Sequence, residues 1–137
     1  MATTGLTEGR EISRQLDRSC IWLPAAKGAV IYEGALVVVG ADGYARPATK
    51  AAGLTAAGYA MDRADNSKGD NGATGVNVWR GGAQLDNDIG AGAITQADVL
   101  QPCYILDDHT VTKTAEGSSV AGKVLGLDGD QVIVEIY

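Results

Sequence analysis

The run Asp107, Asp108 and His109 holds the residue types most suited to chemistry in this chain. It places the only histidine of the sequence beside two carboxylates, as a general base or a metal site requires. The candidate nucleophiles nearest to it in sequence are Ser118, Ser119 and Cys103. No G-x-S-x-G motif is present, and one histidine excludes a multi-histidine metal centre. We therefore interpret Asp-Asp-His-Thr as a turn between two strands and predict no catalytic residue.

A glycine-rich segment, residues 117–124, nearly matches the phosphate-binding motif G-x-x-x-x-G-K-[ST]. Val124 stands where the motif needs a hydroxyl, and the residues that follow predict a strand, whereas the motif opens a helix. Glycines of a strand are the favoured interpretation. The alternative function of this region is a small hydrolase or nucleotide-binding protein that uses Asp108, His109 and Lys123.

The acidic segment at residues 62–70 offers oxygen donors that suit a calcium ion. They are Asp62, Asp65, Asn66 and Asp70. Their spacing departs from D-x-[DN]-x-[DN]-G and no terminal carboxylate follows, so we predict a solvated loop. The sequence therefore predicts no metal ion and no cofactor.

Acidic residues outnumber basic residues by 17 to 11, which gives a net charge of −6. Because affinity for nucleic acid rests on lysine and arginine, no nucleic-acid partner is expected. We find no secretion signal and no apolar run of the about 18 to 20 residues that span a bilayer, so no membrane association is expected. Cys20 and Cys103 lie among apolar residues, where we expect buried thiols rather than a disulfide.

Short apolar runs between glycine- and aspartate-rich turns predict an all-β fold, either a compact β-barrel or a β-sandwich. The predicted strands occupy residues 29–39, with an interruption at Glu33 and Gly34, and residues 44–48, 54–61, 74–80, 103–106, 109–114, 119–127 and 131–137. A Gly-Ala-Asp-Gly turn joins the first two of these strands as a hairpin. One helical turn is expected at residues 94–99, where Thr95 can cap it and Pro102 follows.

Two stretches of the chain are similar in sequence, and we call this similarity the echo. Residues 42–60 align with residues 108–124 when a two-residue gap is allowed, and Gly58 then matches Gly122. Each copy continues through a turn into a Val-x-Val strand. Those strands contain Val76 and Val78 in the first copy and Val132 and Val134 in the second. The echo predicts an internal duplication of a β unit, with chance similarity among small residues as the open alternative.

The beginning of the chain differs in composition and periodicity from the rest. Residues 1–20 are polar and lack a clear period, so we predict an extended N-terminal arm ahead of a single β domain at residues 21–137. Ordering such an arm costs about 1 to 2 kcal/mol per residue in backbone entropy, so it needs a partner surface. Trp22 could belong to the core or anchor that partner. The predicted interface residues of the arm and its hinge are Leu6, Ile12, Leu16, Ile21, Trp22 and Leu23.

Three segments carry a resemblance to a known family. They are Gly-Ala-Leu-Val-Val-Val-Gly at residues 34–40, the block 94–98 leading to 102–113, and the stretch 120–128 closing with 132–136. Together they resemble the small head decoration, or capsid cement, proteins of tailed bacteriophages. The resemblance covers most of residues 29–137.

This resemblance implies a non-enzymatic structural protein of the virion. Such a protein binds the outside of an assembled phage head across contacts between major capsid proteins and stabilises the head. The lean core and the many small-residue strands predict that a monomer leaves apolar surface exposed, so we expect a homo-oligomer. The resemblance favours a homotrimer, since decoration proteins commonly sit on local threefold positions, with a homodimer as the alternative. It also implies a location on the outer capsid surface after synthesis in the bacterial host cytoplasm. The arm lies outside the resemblance; from its own composition we expect it to order on a neighbouring subunit or on the capsid.

Overall fold

The structure, a computed structural model, describes Glu8 and residues 19–136. Nearly all of its regular structure is β-strand, which confirms the predicted all-β class. The predicted interface residues Leu6, Ile12 and Leu16 lie outside the described residues, as does most of the predicted arm. Within the described part of the chain, no helix is long and apolar enough to cross a membrane.

Residues 19–136 form twelve strands and two 3-10 turns. The strands are β1 (Cys20–Pro24), β2 (Val30–Ile31), β3 (Leu36–Val39), β4 (Ala45–Pro47), β5 (Thr55–Ala60), β6 (Ala64–Asp65), β7 (Gly75–Trp79), β8 (Gly81–Asn87), β9 (Pro102–Ile105), β10 (Thr110–Thr112), β11 (Val120–Asp128) and β12 (Gln131–Ile136). The turns are Gly90–Gly92 and Gln96–Asp98. The predicted helical turn is confirmed as the second of these, where the N–H and hydroxyl of Thr95 donate to the Asp98 carboxylate.

Ten of these strands build two similar five-stranded rings, which we call the first and second barrels. In the first barrel the strand order is β1-β7-β5-β3-β4, and a parallel bridge between Ala25 and Ala45 joins the two ends. The second barrel, β8-β12-β11-β9-β10, is closed by parallel pairing of β10 with β8. Of the two predicted architectures, the chain therefore forms the barrel.

The two barrels repeat each other strand by strand, as the echo in the sequence predicts. Val37 faces Gly58 across the β3–β5 pair and Cys103 faces Gly122 across the β9–β11 pair, with a register shift beside each. A Cβ on either glycine would overlap a backbone carbonyl of the next strand, β7 or β12. The match of Gly58 with Gly122 is therefore confirmed, and β1, β3, β4, β5 and β7 correspond to β8, β9, β10, β11 and β12.

Inward-facing side chains fill each barrel, and a shared layer joins the two. The cluster inside the first barrel consists of Ile31, Ala35, Val37, Ala45, Ala57, Ala60, Ala64, Val76 and Val78. Leu36, Val38 and Ala56 point outward from the first barrel, because they alternate with these inward residues. They are buried in one cluster with the interior residues of the second barrel. The first barrel thus lays one outer face, that of β3 and β5, against the second.

Hydrogen bonds reinforce this contact between the two barrels, which we call the seam. The Ser119 hydroxyl donates to the Ala51 carbonyl oxygen at 2.6 Å and accepts from the Leu54 N–H at 3.0 Å. The Leu36 N–H donates to the Asp108 carbonyl oxygen at 2.7 Å. Apolar packing and directed hydrogen bonds together hold the two barrels in one arrangement.

The segment 62–70 and strand β8 differ from the sequence-based expectations. The segment 62–70 contains β6 and the buried residue Asn66, so the prediction of a solvated loop is wrong there. The Asn66 amide donates to the carbonyl oxygens of Ala25, Ala26 and Asp70, which ties the loop to the end of β1. Strand β8 is absent from the predicted strands because glycine, aspartate and asparagine have low β propensity.

Candidate docking surface

Large apolar side chains lie exposed on the outer face of β1 and β7. Trp22 is 57% exposed and Trp79 is 37% exposed, and Met61, just after β5, is 44% exposed. Cys20 pairs with Trp79 across the two strands, and its thiol donates to the Met61 sulfur at 3.3 Å. We call the surface formed by Cys20, Trp22, Met61 and Trp79 the tryptophan face.

The alternation of β1 explains which predicted hinge residues reach this face. Ile21 and Leu23 are half-buried and pack against the cluster inside the first barrel, whereas Trp22 points outward. Trp22 pairs with Asn77, so Trp79 is a diagonal neighbour of Trp22 on the same outer face. Of the two interpretations of Trp22, the core residue is wrong, because more than half of the side chain is in solvent.

Trp79 and Met61 are not among the predicted interface residues. Val76 and Val78 face the barrel interior, so the period of two along β7 places Trp79 on the outside. That alternation is a signal from which the exposure of Trp79 follows. Met61 has no comparable signal, because it lies beyond the end of β5 and reaches the face through its position at the turn.

Gly75 makes room for the Trp22 ring. A Cβ at this position would overlap the indole, so the ring lies close against the backbone of β7. One side of the ring therefore contacts the sheet while the side chain remains largely open to solvent.

The positions of the second barrel that match the two tryptophans are polar. The strand registers align Trp22 with Gln84 and Trp79 with Glu135. Gln84 donates to the Asp128 carboxylate at 2.6 Å, a contact between solvated side chains. Since one framework forms with either set of residues, the tryptophans are not required to build a barrel.

Both cysteines are free thiols. Cys103 is fully buried inside the second barrel, and burial raises the pKa of its thiol to about 12. The prediction of a buried thiol is confirmed for Cys103. It is wrong for Cys20, which is half-buried because it lies on an outer face.

His109 forms a polar cluster at the turn between β9 and β10. Its Nδ1 lies 3.0 Å from the Asp86 carboxylate, and its backbone N–H donates to Asp107 at 2.9 Å. The hydrogen bond to Asp86 raises the pKa of His109, and the charges of Asp107 and Asp108 act in the same direction. Hydrogen bonds from Gln131 and His109 lower the pKa of Asp86. The possible ligand atoms of Asp107, Asp108 and His109 all lie within 4.8 Å of one another, and exposed acidic groups are common without a bound ion.

The structure does not assemble the alternative site of Asp108, His109 and Lys123. Lys123 lies opposite Pro102 at the start of β9, whereas the Asp108–His109 turn follows the end of that strand. Residues 120–128 form a strand and not a helix, which confirms the interpretation of the glycine-rich segment. The nearby nucleophile candidates are also engaged: Ser118 donates to the Ile105 carbonyl oxygen, Ser119 to that of Ala51, and Cys103 is buried.

Searches of family models, of curated proteins and of solved structures found no match to this chain. The tryptophan face therefore has to be interpreted from its own composition. Two indoles and a thioether supply apolar area with polar edges, a combination typical of the central residues of protein interfaces.

Proposed function

We propose that this protein is a non-enzymatic capsid decoration protein of a tailed bacteriophage. It binds the outside of an assembled head across contacts between major capsid proteins and stabilises the head. The observation that supports this proposal most is the tryptophan face, whose aromatic residues are replaced by Gln84 and Glu135 at the matching positions of the second barrel. The family resemblance of residues 29–137 supplies the identity of the partner.

The tryptophan face has the composition of an interface centre. Burying the exposed part of the Trp22 ring removes on the order of 100 Å² of apolar surface, which is worth about 2 to 3 kcal/mol. Because Trp22 and Trp79 lie on the same outer face, one partner surface can contact both side chains. The other side chains of the contact need only exclude water from around the two tryptophans.

Binding of this kind stabilises a head without chemistry. A ligand that binds the assembled lattice and not the free subunits shifts the equilibrium toward the lattice. Many copies on one head, each spanning contacts between subunits, make the combined effect large even when each contact is modest.

The proposal extends to the partners and the location. The protein acts on the outer surface of the virion after synthesis in the bacterial host cytoplasm. It binds the major capsid protein and itself, as a homotrimer in preference to a homodimer. Its net charge of −6 supports a protein partner rather than nucleic acid.

Binding to undecorated heads tests the proposal. Purified protein is mixed with undecorated expanded heads of the phage that encodes it, and the heads are sedimented. We expect saturable co-sedimentation for the unmodified chain. Trp22→Gln, which introduces the residue of the second barrel, should weaken binding about 30-fold, since an interface anchor is worth about 2 kcal/mol or more.

Gln84→Ala is the matched control, because it changes the corresponding position of the second barrel and should leave binding unchanged. Absence of co-sedimentation at saturating protein would contradict the proposed function. Equal binding by Trp22→Gln and the unmodified chain would show that the head contact lies elsewhere. Circular dichroism of each variant establishes that the barrels remain folded.

A further inference from the structure

A second apolar surface lies on the outer face of β9 and β11. We call it the second-barrel face; its apolar residues are Leu100, Pro102, Tyr104, Val120 and Leu125, and the half-buried Lys123 lies among them, opposite Pro102. Leu100 is 61% exposed, Val120 is 49% exposed and Leu125 is 43% exposed. The Leu100 N–H donates to the Val124 carbonyl oxygen at 2.7 Å, which places Leu100 beside β11 and next to Leu125.

The repeat shows what this face corresponds to in the first barrel. The registers align Pro102 with Leu36, Tyr104 with Val38 and Val120 with Ala56. In the first barrel these positions are at most 8% exposed, because the second barrel covers them. In the second barrel the same positions carry apolar side chains that nothing in the described chain covers to a comparable extent.

The backbone at Leu100 adds an independent observation. Its φ of +68° lies in the left-handed region, which L residues with a branched side chain rarely adopt. Two backbone hydrogen bonds hold it there, from the Leu100 N–H to Val124 and from the Val124 N–H to the Gln101 carbonyl oxygen. Glycine would occupy this conformation without strain, so the fold alone gives no reason for an exposed leucine.

We propose that the second-barrel face is a self-association surface and that its occupant is a barrel of a second copy of this chain. Within one chain, the structure already shows a barrel of this fold covering the matching face of its neighbour. A second copy supplies the same kind of cover for the face that remains open. The surface belongs to β9 and β11, whereas the tryptophan face belongs to β1 and β7, so self-association does not use the proposed head contact.

The geometry of such a contact determines the number of copies. If two second-barrel faces meet each other, the contact is isologous and gives a dimer. If the face meets a different part of the neighbouring copy, the contact is heterologous; it forms a ring such as a trimer when its rotation closes and a filament when it does not. Either result satisfies the inference, because in both the second-barrel face is covered by another copy.

Light scattering on the eluting full chain tests the inference without heads. The mass is measured at concentrations up to about 1 mM, where even a millimolar contact is half formed. We expect a multiple of 14.1 kDa for the unmodified chain. Val120→Glu should raise the dissociation constant at least about tenfold, because it places a charge in the contact. Trp22→Gln, the matched control on the first barrel, should assemble like the unmodified chain.

Leu100→Gly separates association from folding. It removes the side chain and the backbone strain together, so the thermal midpoint should stay the same or rise while association weakens. If circular dichroism shows that Val120→Glu is unfolded, the mass of Leu100→Gly in light scattering tests the inference instead. A mass of 14.1 kDa for the unmodified chain at every concentration overturns the inference, and so does unchanged assembly of both variants. Because heads are absent, failure here is distinct from failure of the proposed function.

Discussion

The two barrels share one strand framework but differ in which of their outer faces is covered and in the side chains that the exposed faces carry. In the first barrel the outer face of β3 and β5 is buried in the seam, and the outer face of β1 and β7 carries the exposed tryptophans. In the second barrel the face of β9 and β11 is open and carries apolar side chains around Lys123, and the face of β8 and β12 carries Gln84, Ile133 and Glu135. The comparison separates residues that build a barrel from residues that a barrel presents to a partner.

The inward residues differ between the barrels in a compensating way. The matched pairs are Ile21 with Ala83, Ala45 with Val111, and Ala60 with Val124. A large residue in the first strand of the first barrel thus accompanies small residues on β4 and β5, and the reverse holds in the second barrel. Cores tolerate such exchanges when the total volume is kept, so inward positions vary without changing the fold.

The segments that follow the first strand of each barrel also differ, yet polar side chains stabilise both. In the first barrel the buried Asn66 amide donates to three carbonyl groups, two of them just after β1. In the second barrel the Asn87 side chain binds both the N–H and the carbonyl oxygen of Ile94, at 2.8 and 2.9 Å. Each amide supplies partners to backbone groups that the strands leave unpaired.

The largest expected effect tests the shared framework. Gly58→Ala and Gly122→Ala each force a Cβ onto the backbone carbonyl of the neighbouring strand, which cannot move without breaking the sheet. We expect each to lower the free energy of unfolding by about 3 kcal/mol, the upper end of the range for overpacking. Gly58→Ala should be the more severe, because its φ of +152° also disfavours a side chain. Urea unfolding measures both.

Gly82→Ala is the control for this pair, since a Cβ there meets no atom within 4 Å. It should change the free energy of unfolding by less than about 1 kcal/mol. If Gly58→Ala or Gly122→Ala leaves the free energy of unfolding unchanged, the two barrels do not share the requirement for glycine at this position.

The next effect tests the seam, where the barrels are not alike. Ser119 is buried and bonds Ala51 and Leu54 across the seam, whereas its match in the first barrel, Thr55, is exposed. Ser119→Ala leaves an N–H and a carbonyl without a partner and should reduce stability by about 1 to 3 kcal/mol. Thr55→Ala should reduce it by less than about 1 kcal/mol. Equal losses in thermal unfolding would show that the Ser119 hydrogen bonds do not stabilise the seam.

Sequence reasoning predicts the strands well where local signals are strong. The hairpin of β3 and β4 follows from a Gly-Ala-Asp-Gly turn between apolar runs, and β11 and β12 follow from a turn at Gly129. The duplication is recognised from the matching glycines. Where two backbones approach closely, only glycine fits, so the residue is the same in both copies.

The remaining features depend on tertiary contacts that no local pattern encodes. Strand β8 forms because β12 and β10 pair with it on both sides, and not because its own residues favour a strand. The exposure of Trp22 depends on which side of β1 faces the barrel. The apolar second-barrel face becomes visible only when the covered face of the first barrel is placed beside it.

Ionisable groups distinguish the two matching turns. His109 lies in the turn between β9 and β10 with Asp86 beside it, whereas the register places Gly43 and Pro24 at these positions in the first barrel. Only the second barrel therefore carries a histidine–carboxylate pair at this end. The pair is solvated, since 62% of the His109 side chain is exposed, so its effect on stability is small.

The smallest expected effect is the pH dependence of that pair. The pKa of His109 is raised, so its contribution is complete below the ordinary value of about 6.5 and is lost as pH rises through the folded-state pKa. The pKa of Asp86 is lowered, so its contribution is complete above about 3.9 and is lost as pH falls. Asp86→Asn should lower the pKa of His109 in an NMR titration, while Asp42→Asn, in the matching turn, should leave it unchanged. A histidine that titrates identically in the unmodified chain and in Asp86→Asn would show that the hydrogen bond does not control its charge.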